Sequence, residues 1–237
     1  ARTGLDAQNT KMQVIANNLA NVNTTGFKKD RANFQALAYQ QLIAAGAASD
    51  SENKFATGLS LGTGVAIAGT SRIDTQGTLT STGSALDLAI EGGGYFQLQR
   101  SDGTIGYTRD GNFSRTAEGT LVNSDGLPLI PQIQVPDGTT SLTIGNDGTV
   151  SATISGQSAP TNLGQIELAN FANASGLQSV GGNVLIETAA SGAPQVGIAG
   201  LDGRGTIKQG SLEGSNVNIV EELVDMIETQ RAYEVNS

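Results

Sequence analysis

Residues equipped for chemistry are sparse in this chain and poorly matched to one another. Asp87 and Glu91 flank a short alternating segment ahead of Gly92-Gly93-Gly94, and two carboxylates facing one cleft are what glycoside hydrolysis requires. Nothing in their spacing brings them to one cleft, and acidic residues bordering a half-buried strand ordinarily solvate its outer face. Six Asp-Gly pairs (102–103, 110–111, 125–126, 137–138, 147–148 and 202–203) raise calcium binding. An EF-hand loop needs alternating oxygen ligands closed by Glu, and no segment has that spacing. The glycine-aspartate nonapeptide of calcium-binding β-helices does not recur either. Gly62-Thr63-Gly64 could open a phosphate-binding fingerprint, but Ile67 stands where the third glycine belongs and no Walker lysine follows. Arg72, Arg100, Arg109 and Arg115 are scattered without interleaved aromatics, so they read as residues of a solvated face or an intersubunit contact. The chain has no His and no Cys, which removes the Ser-His-Asp and Cys-His arrangements and the usual metal ligands. No catalytic residue, cofactor or metal is therefore expected.

The elements that remain to be positioned are two helical stripes at the ends of the sequence. Leu5, Met12, Ile15, Leu19 and Val22 fall on heptad spacing, and Ile219, Val220, Leu223, Val224, Met226, Ile227 and Tyr233 form a second stripe. Neither can bury its apolar side alone in water. Each needs a partner helix, either the other stripe or the same helices of neighbouring molecules, and this points to assembly. The first helix is predicted over Thr3–Val22, weakened by Asn17, Asn18 and Asn21 and stopped at Asn23–Gly26, with Gly26 as a left-handed cap. Lys28, Lys29 and Arg31 follow where positive charge complements a helix C-terminus. Asn218 and Glu221 make a capping box for the last helix.

Between the stripes, Phe34, Leu37 and Tyr39 suggest a short helix, and Ala44–Gly64 has no clear period. From Ser71 to about Leu212 the signal is β: alternation in Leu86–Ile90, Leu142–Ile144 and Val150–Ile154. The first five Asp-Gly pairs lie 8, 15, 12 and 10 residues apart, a spacing of successive antiparallel strands joined by type I′ turns. The expected fold is α+β, with the N- and C-terminal helices pairing as a coiled-coil layer beside a central antiparallel β-rich domain. Its parts are an N-terminal helix (1–29), an extended linker (30–70), a β-rich outer domain (71–211) and a C-terminal helix (212–237).

Composition agrees with thin β layers: 237 residues, 38% hydrophobic, 32 Gly, six Phe, four Tyr and no Trp. A formal charge of −9 argues against nucleic-acid binding, which needs a basic face. No run is long and apolar enough to insert in a membrane. Both ends read as trimmed, so they support no targeting inference.

Three blocks carry a family resemblance. Ile15-Ala16-Asn17-Asn18-Leu19-Ala20-Asn21-Val22-Asn23-Thr24-Thr25-Gly26-Phe27-Lys28 resembles the N-terminal signature of bacterial flagellar rod and hook proteins. Leu86–Gly92, Tyr95-Phe96 and Tyr107–Phe113 are similar to that family's central motif. Ser215–Asn218, Glu221, Met226-Ile227 and Gln230–Ser237 are similar to its C-terminal motif. The length between the second and third blocks, with room for one β domain, and the stretch Tyr39–Gly64 resemble the distal segment of the rod more than the hook; a proximal rod or hook subunit is the alternative. A secreted β-rich carbohydrate-binding or carbohydrate-active protein is the rival from another class.

The resemblance implies a homopolymer: a hollow helical drive shaft crossing the periplasm. Its partners would be other copies, other rod and hook proteins and the surrounding basal-body rings, and export would run through the flagellar type III system. The implied subunit interface is Leu5, Met12, Ile15, Leu19, Val22, Ile219, Leu223, Met226, Ile227 and Tyr233. Tyr39, Leu42, Phe55, Leu59 and Leu61 would belong to a segment that stiffens the shaft.

Overall fold

The computed structural model describes residues 2–43 and 59–236. The chain divides into two compact units: Ala1–Leu19, Asp30–Ser71 and Ile219–Ser237 form unit 1, and Ala20–Lys29 with Arg72–Asn218 form unit 2.

Unit 1 holds the two helices, α1 (Arg2–Ala20) and α2 (Ile219–Asn236). The second begins directly after Asn218, where the sequence places its cap. The remainder of the described part is a β ribbon. Asp30–Ala36 pairs with Val65–Arg72, and Tyr39–Ile43 pairs antiparallel with Leu59–Gly62. Between the two ladders, Leu37 N–H donates to Gly64 O (2.9 Å) and Thr63 Oγ1 to Ala38 O (2.6 Å). The short helix expected around Phe34, Leu37 and Tyr39 is therefore absent. These residues pair with a segment some thirty positions on, and a non-local ladder overrides a weak local period.

Unit 2 is β throughout its larger part. A seven-stranded antiparallel sheet runs in the order Gln178–Gly181, Val184–Ile186, Ile105–Thr108, Tyr95–Gln99, Glu167–Asn170, Gln195–Ile198, with Leu129–Ile130 also pairing with Tyr95–Gln99. Thr139–Ile144, Thr149–Ile154 and Thr161–Gln165 make a three-stranded meander. Leu88–Glu91 pairs with Thr206–Gln209, and Leu79–Ser81 with Ser211–Glu213. One core joins these layers: Leu88, Ile90, Phe96, Leu98, Leu121, Leu129, Ile133, Val150, Ile166, Leu168 and Ile207 are buried together. Each such side chain contributes about 1.5–3 kcal/mol by leaving water, so a chain short of aromatics still closes a core. A second cluster stacks Phe171 edge-on against Tyr95 and Tyr107.

The hairpin turns differ from the type I′ expectation. Four loops share one geometry: Arg100–Thr104, Thr116–Thr120, Asn123–Leu127 and Gly145–Thr149. In each, the flanking residues bond to one another, and the N–H of the fourth residue, a left-handed glycine, returns to the first residue's carbonyl. This is the three-residue loop with a glycine bulge, because only the glycine of each pair takes positive φ. Both-positive turns occur at Asp202-Gly203 (φ 50° and 76°) and at Gly182-Asn183 (φ 60° and 58°).

Candidate functional site

The polar centre of unit 2 is a buried ion cluster. Glu213, on the last strand, has a fully buried side chain. Its Oε1 accepts from Lys28 Nζ at 2.5 Å and from Gly77 N–H at 2.9 Å. Its Oε2 accepts from Arg109 Nε at 2.8 Å and lies 2.7 Å from the Arg109 terminal nitrogen Nη2. The remaining guanidinium N–H groups of Arg109 reach Gly92 O (2.8 Å), Gly94 O (2.7 Å) and Ile90 O (3.0 Å). Lys28 also donates to Thr75 O at 2.7 Å. Burial pulls the Lys28 ammonium down from its ordinary pKa, and Glu213 opposes that pull. Losing the glutamate charge would strand two buried cations, a change that costs about 3–5 kcal/mol.

This placement corrects two sequence expectations. Arg109 is not at a solvated face or intersubunit contact but is 6% exposed. Lys28 does not serve a helix end but is buried against Glu213. Gly26 has the expected positive φ (67°), yet α1 ends at Ala20, so Gly26 belongs to a separate turn. A Cβ there would lie 2.6 Å from the backbone carbon of Arg109. Gly111 is pressed harder: a Cβ would sit 1.6 Å from Leu88 O. Asp110 Oδ1 takes hydrogen bonds from Thr25 Oγ1 (2.8 Å) and Asn112 N–H (3.1 Å), while burial raises its pKa from the ordinary value.

In unit 1, α2 is turned inside out. Glu222 (5% exposed) and Thr229 (1%), seven positions apart, are its buried residues among those described. Its apolar stripe faces solvent: Ile219, Val220 (69%), Leu223 (43%), Val224, Ile227 (51%), Tyr233 and Val235 are all exposed, and Met226 is half-buried. In α1, Ile15 is buried and Leu5, Met12 and Leu19 are half-buried; Val22, just past the helix, is half-buried. Asn18 is buried in the same helix. Its amide donates to Asp30 O (2.9 Å) and Glu222 Oε2 (3.2 Å) and accepts from Asp30 N–H (2.9 Å). Asn18 and Glu222 were not among the expected site residues. An asparagine beside an apolar stripe is a known register-fixing device, and that was the signal available. Of the expected stiffening residues, Phe55 lies outside the described residues, whereas Tyr39, Leu42, Leu59 and Leu61 stand in the ribbon strands.

Asp87 and Glu91 do not form a catalytic pair: Asp87 accepts from Thr82 Oγ1 at 2.6 Å beside the strand, and Glu91 is exposed at its end. No cluster of three or more His, Cys, Asp or Glu suited to a metal occurs among the described residues. No described helix is long and apolar enough to cross a membrane.

Two terminal helices, one with an outward apolar face, and a β-rich unit are the features of a structural assembly protein. Comparison with known families agrees block by block. Residues 1–28 match the flagella basal body rod protein family, 89–152 the flagellar hook protein FlgE/F/G D1 domain, and 208–237 the flagellar basal body rod FlgEFG protein C-terminal family. Lys28, Arg109 and Glu213 come one from each block. The chain is 51% identical over 237 residues to the flagellar basal-body rod protein FlgG of Buchnera aphidicola subsp. Acyrthosiphon pisum, covering all of this chain and 91% of that protein. It is 45% identical to the FlgG of Agrobacterium fabrum with the same coverage, and 39% identical to that of Bacillus subtilis, covering 99% and 90%.

The chain belongs to the flagellar basal-body rod protein family, a structural and non-enzymatic family. Within it, this is a structural subunit of the distal rod, located in the basal body and assembling with other flagellar rod and hook proteins. The carbohydrate-active alternative is thereby set aside.

Proposed function

We propose that the subunit polymerises through its terminal helices into a hollow helical shaft that passes torque from the motor to the hook. The observation that carries this reading is the outward apolar side of α2, on which Leu223 (43% exposed) and Ile227 (51%) face solvent while Glu222 and Thr229 are buried. Such a face is stable only when another surface covers it. Repeated head-to-tail contacts that do not close generate an open helical tube. In the tube, the helices would pair as a coiled-coil layer through Leu5, Met12, Leu19, Val22, Ile219, Leu223, Met226, Ile227 and Tyr233, while Ile15 is already buried in the single subunit.

The ribbon around Tyr39, Leu42, Leu59 and Leu61 would lie along neighbouring subunits and stiffen the tube. The β-rich unit would face the surrounding ring proteins. A subunit of this kind would reach the periplasmic rod through the flagellar type III apparatus.

The deciding experiment replaces Leu223 by Asp in the full chain. Expected are an unchanged circular dichroism spectrum and unfolding midpoint, because the side chain is exposed in the single subunit, together with loss of rods in electron micrographs of basal bodies. Normal rods built from Leu223→Asp subunits would overturn the helix interface.

A further inference from the structure

We infer that Asn216 and the Lys28–Arg109–Glu213 cluster form a stiff clasp through which mechanical load enters unit 2, an inference that rests on the proposed torque-bearing polymer. The chain passes between the two units four times, after Leu19, Lys29, Ser71 and Asn218. A passage of this kind ordinarily behaves as a hinge, because short connectors carry few contacts. Three of these four connectors are tied to one another by bonds that lie wholly in unit 2.

Asn216 stands at the centre of these ties. Its Oδ1 accepts from Lys29 N–H at 2.8 Å, and its Nδ2 donates to Ile73 O at 2.8 Å and to Thr75 O at 3.2 Å. Its own N–H reaches Phe27 O at 3.3 Å, and Ile73 N–H bonds Lys29 O at 2.9 Å. An amide side chain has one acceptor and two donors on the same planar group, so it can brace a donor on one connector and acceptors on another. Aspartate lacks the donors and serine lacks the reach.

The second connector is fixed again at its start. Arg72 donates to Ala174 O at 2.5 Å, and Ser175 Oγ donates to Arg72 O at 3.1 Å. Two residues beyond Thr75, Gly77 N–H and Lys28 Nζ converge on one oxygen of Glu213, which begins the third connector. Gly26 N–H bonds Glu213 O at 2.7 Å. Segments 26–29, 73–77 and 213–216 are thus crosslinked within a few residues of where they leave the unit. The charges are buried, so salt screens them little. Force arriving along any one connector is shared by all three and passes through Arg109 into the strand Leu88–Glu91 and its Gly92–Gly94 continuation.

Two measurements on the single full-length subunit test this. In the first, hydrogen exchange compares the natural chain with Asn216→Ala and Glu213→Gln. The clasp predicts that amides at 27–30, 73–77 and 214–218 lose at least about tenfold protection, while 88–90 and 96–98 stay within about twofold. Unchanged connector amides, or an equal loss across unit 2, would overturn it. Should Glu213→Gln fail to fold, Asn216→Ala decides alone, since it removes no charge.

In the second, the chain is pulled through handles near its two ends. Asn216→Ala should lower the first rupture force by a third or more, and an unchanged force overturns the load path. Both readouts come from the monomer, so their failure is separate from failure of polymerisation, which Leu223→Asp tests.

Discussion

Asp110 is held in two hydrogen bonds yet sits where burial disfavours its charge. Its folded pKa is raised, so the folded state binds the proton more tightly than the unfolded chain does. That contribution is full below the ordinary carboxylate value and is lost as pH rises through the folded value. At neutral pH the ionised group is therefore a net cost. Asparagine keeps an oxygen for Thr25 and Asn112 and removes the charge. Asp110→Asn should stabilise unit 2 at pH 7 by at most about 1 kcal/mol, roughly 2–4 °C in Tm, and the gain should shrink as pH falls towards 4. Urea titrations at pH 4, 5.5 and 7 would show this, and a variant less stable than the parent at pH 7 would contradict it. Little of this residue-level detail was legible beforehand. Lys28, Arg109 and Glu213 lie far apart in sequence, and their charges look solvated until strands from three segments close over them. The motif blocks read from the sequence include Lys28 and Arg109, but Glu213 lies just outside the last of them.

The elements were legible in proportion to how local their causes are. Both helices follow from heptad stripes, and the alternation in Leu86–Ile90 and Val150–Ile154 coincides with strands or their edges. The ribbon at 30–43 is not legible because its partner strands lie within, or just beyond, a stretch with no period of its own. Asp-Gly marks the hairpin loops at 102–103, 125–126 and 147–148 but suggests the wrong geometry, since the aspartates keep negative φ in all but one pair, and Asp110-Gly111 makes no such loop.

Gly26 and Gly111 separate two reasons for glycine at this level. Gly26 combines positive φ with a close backbone, whereas Gly111 has ordinary φ and is excluded from bearing a side chain only by Leu88 O. Alanine at either position forces backbone apart, so Gly26→Ala and Gly111→Ala should each cost more than about 2 kcal/mol. Glycine exchanged for alanine at 103, which meets nothing within 4 Å but has φ 84°, should cost only the conformational strain, about 1 kcal/mol. Denaturant midpoints for the three variants give the ranking, and an equal loss at 103 and 111 would refute the steric argument.

At the scale of the whole molecule, two opposing forces act when subunits meet. Each chain carries a formal charge of −9, which drives copies apart. The α2 face that would join them is apolar from Ile219 to Val235. An interface of that composition strengthens on warming near room temperature, because its driving force is entropic. It is also relieved of subunit repulsion when salt screens the acidic surfaces. Assembly of the full chain should therefore increase from about 5 to 30 °C and from about 0.05 to 0.5 M NaCl, with the weight-average mass read by light scattering. The competing arrangement joins copies through exposed charges such as Arg2, Glu228 and Arg231, and it makes the reverse forecast for salt. Dissolution of the polymer at the higher salt concentration would mean that the outward stripe of α2 is not what holds neighbouring subunits together.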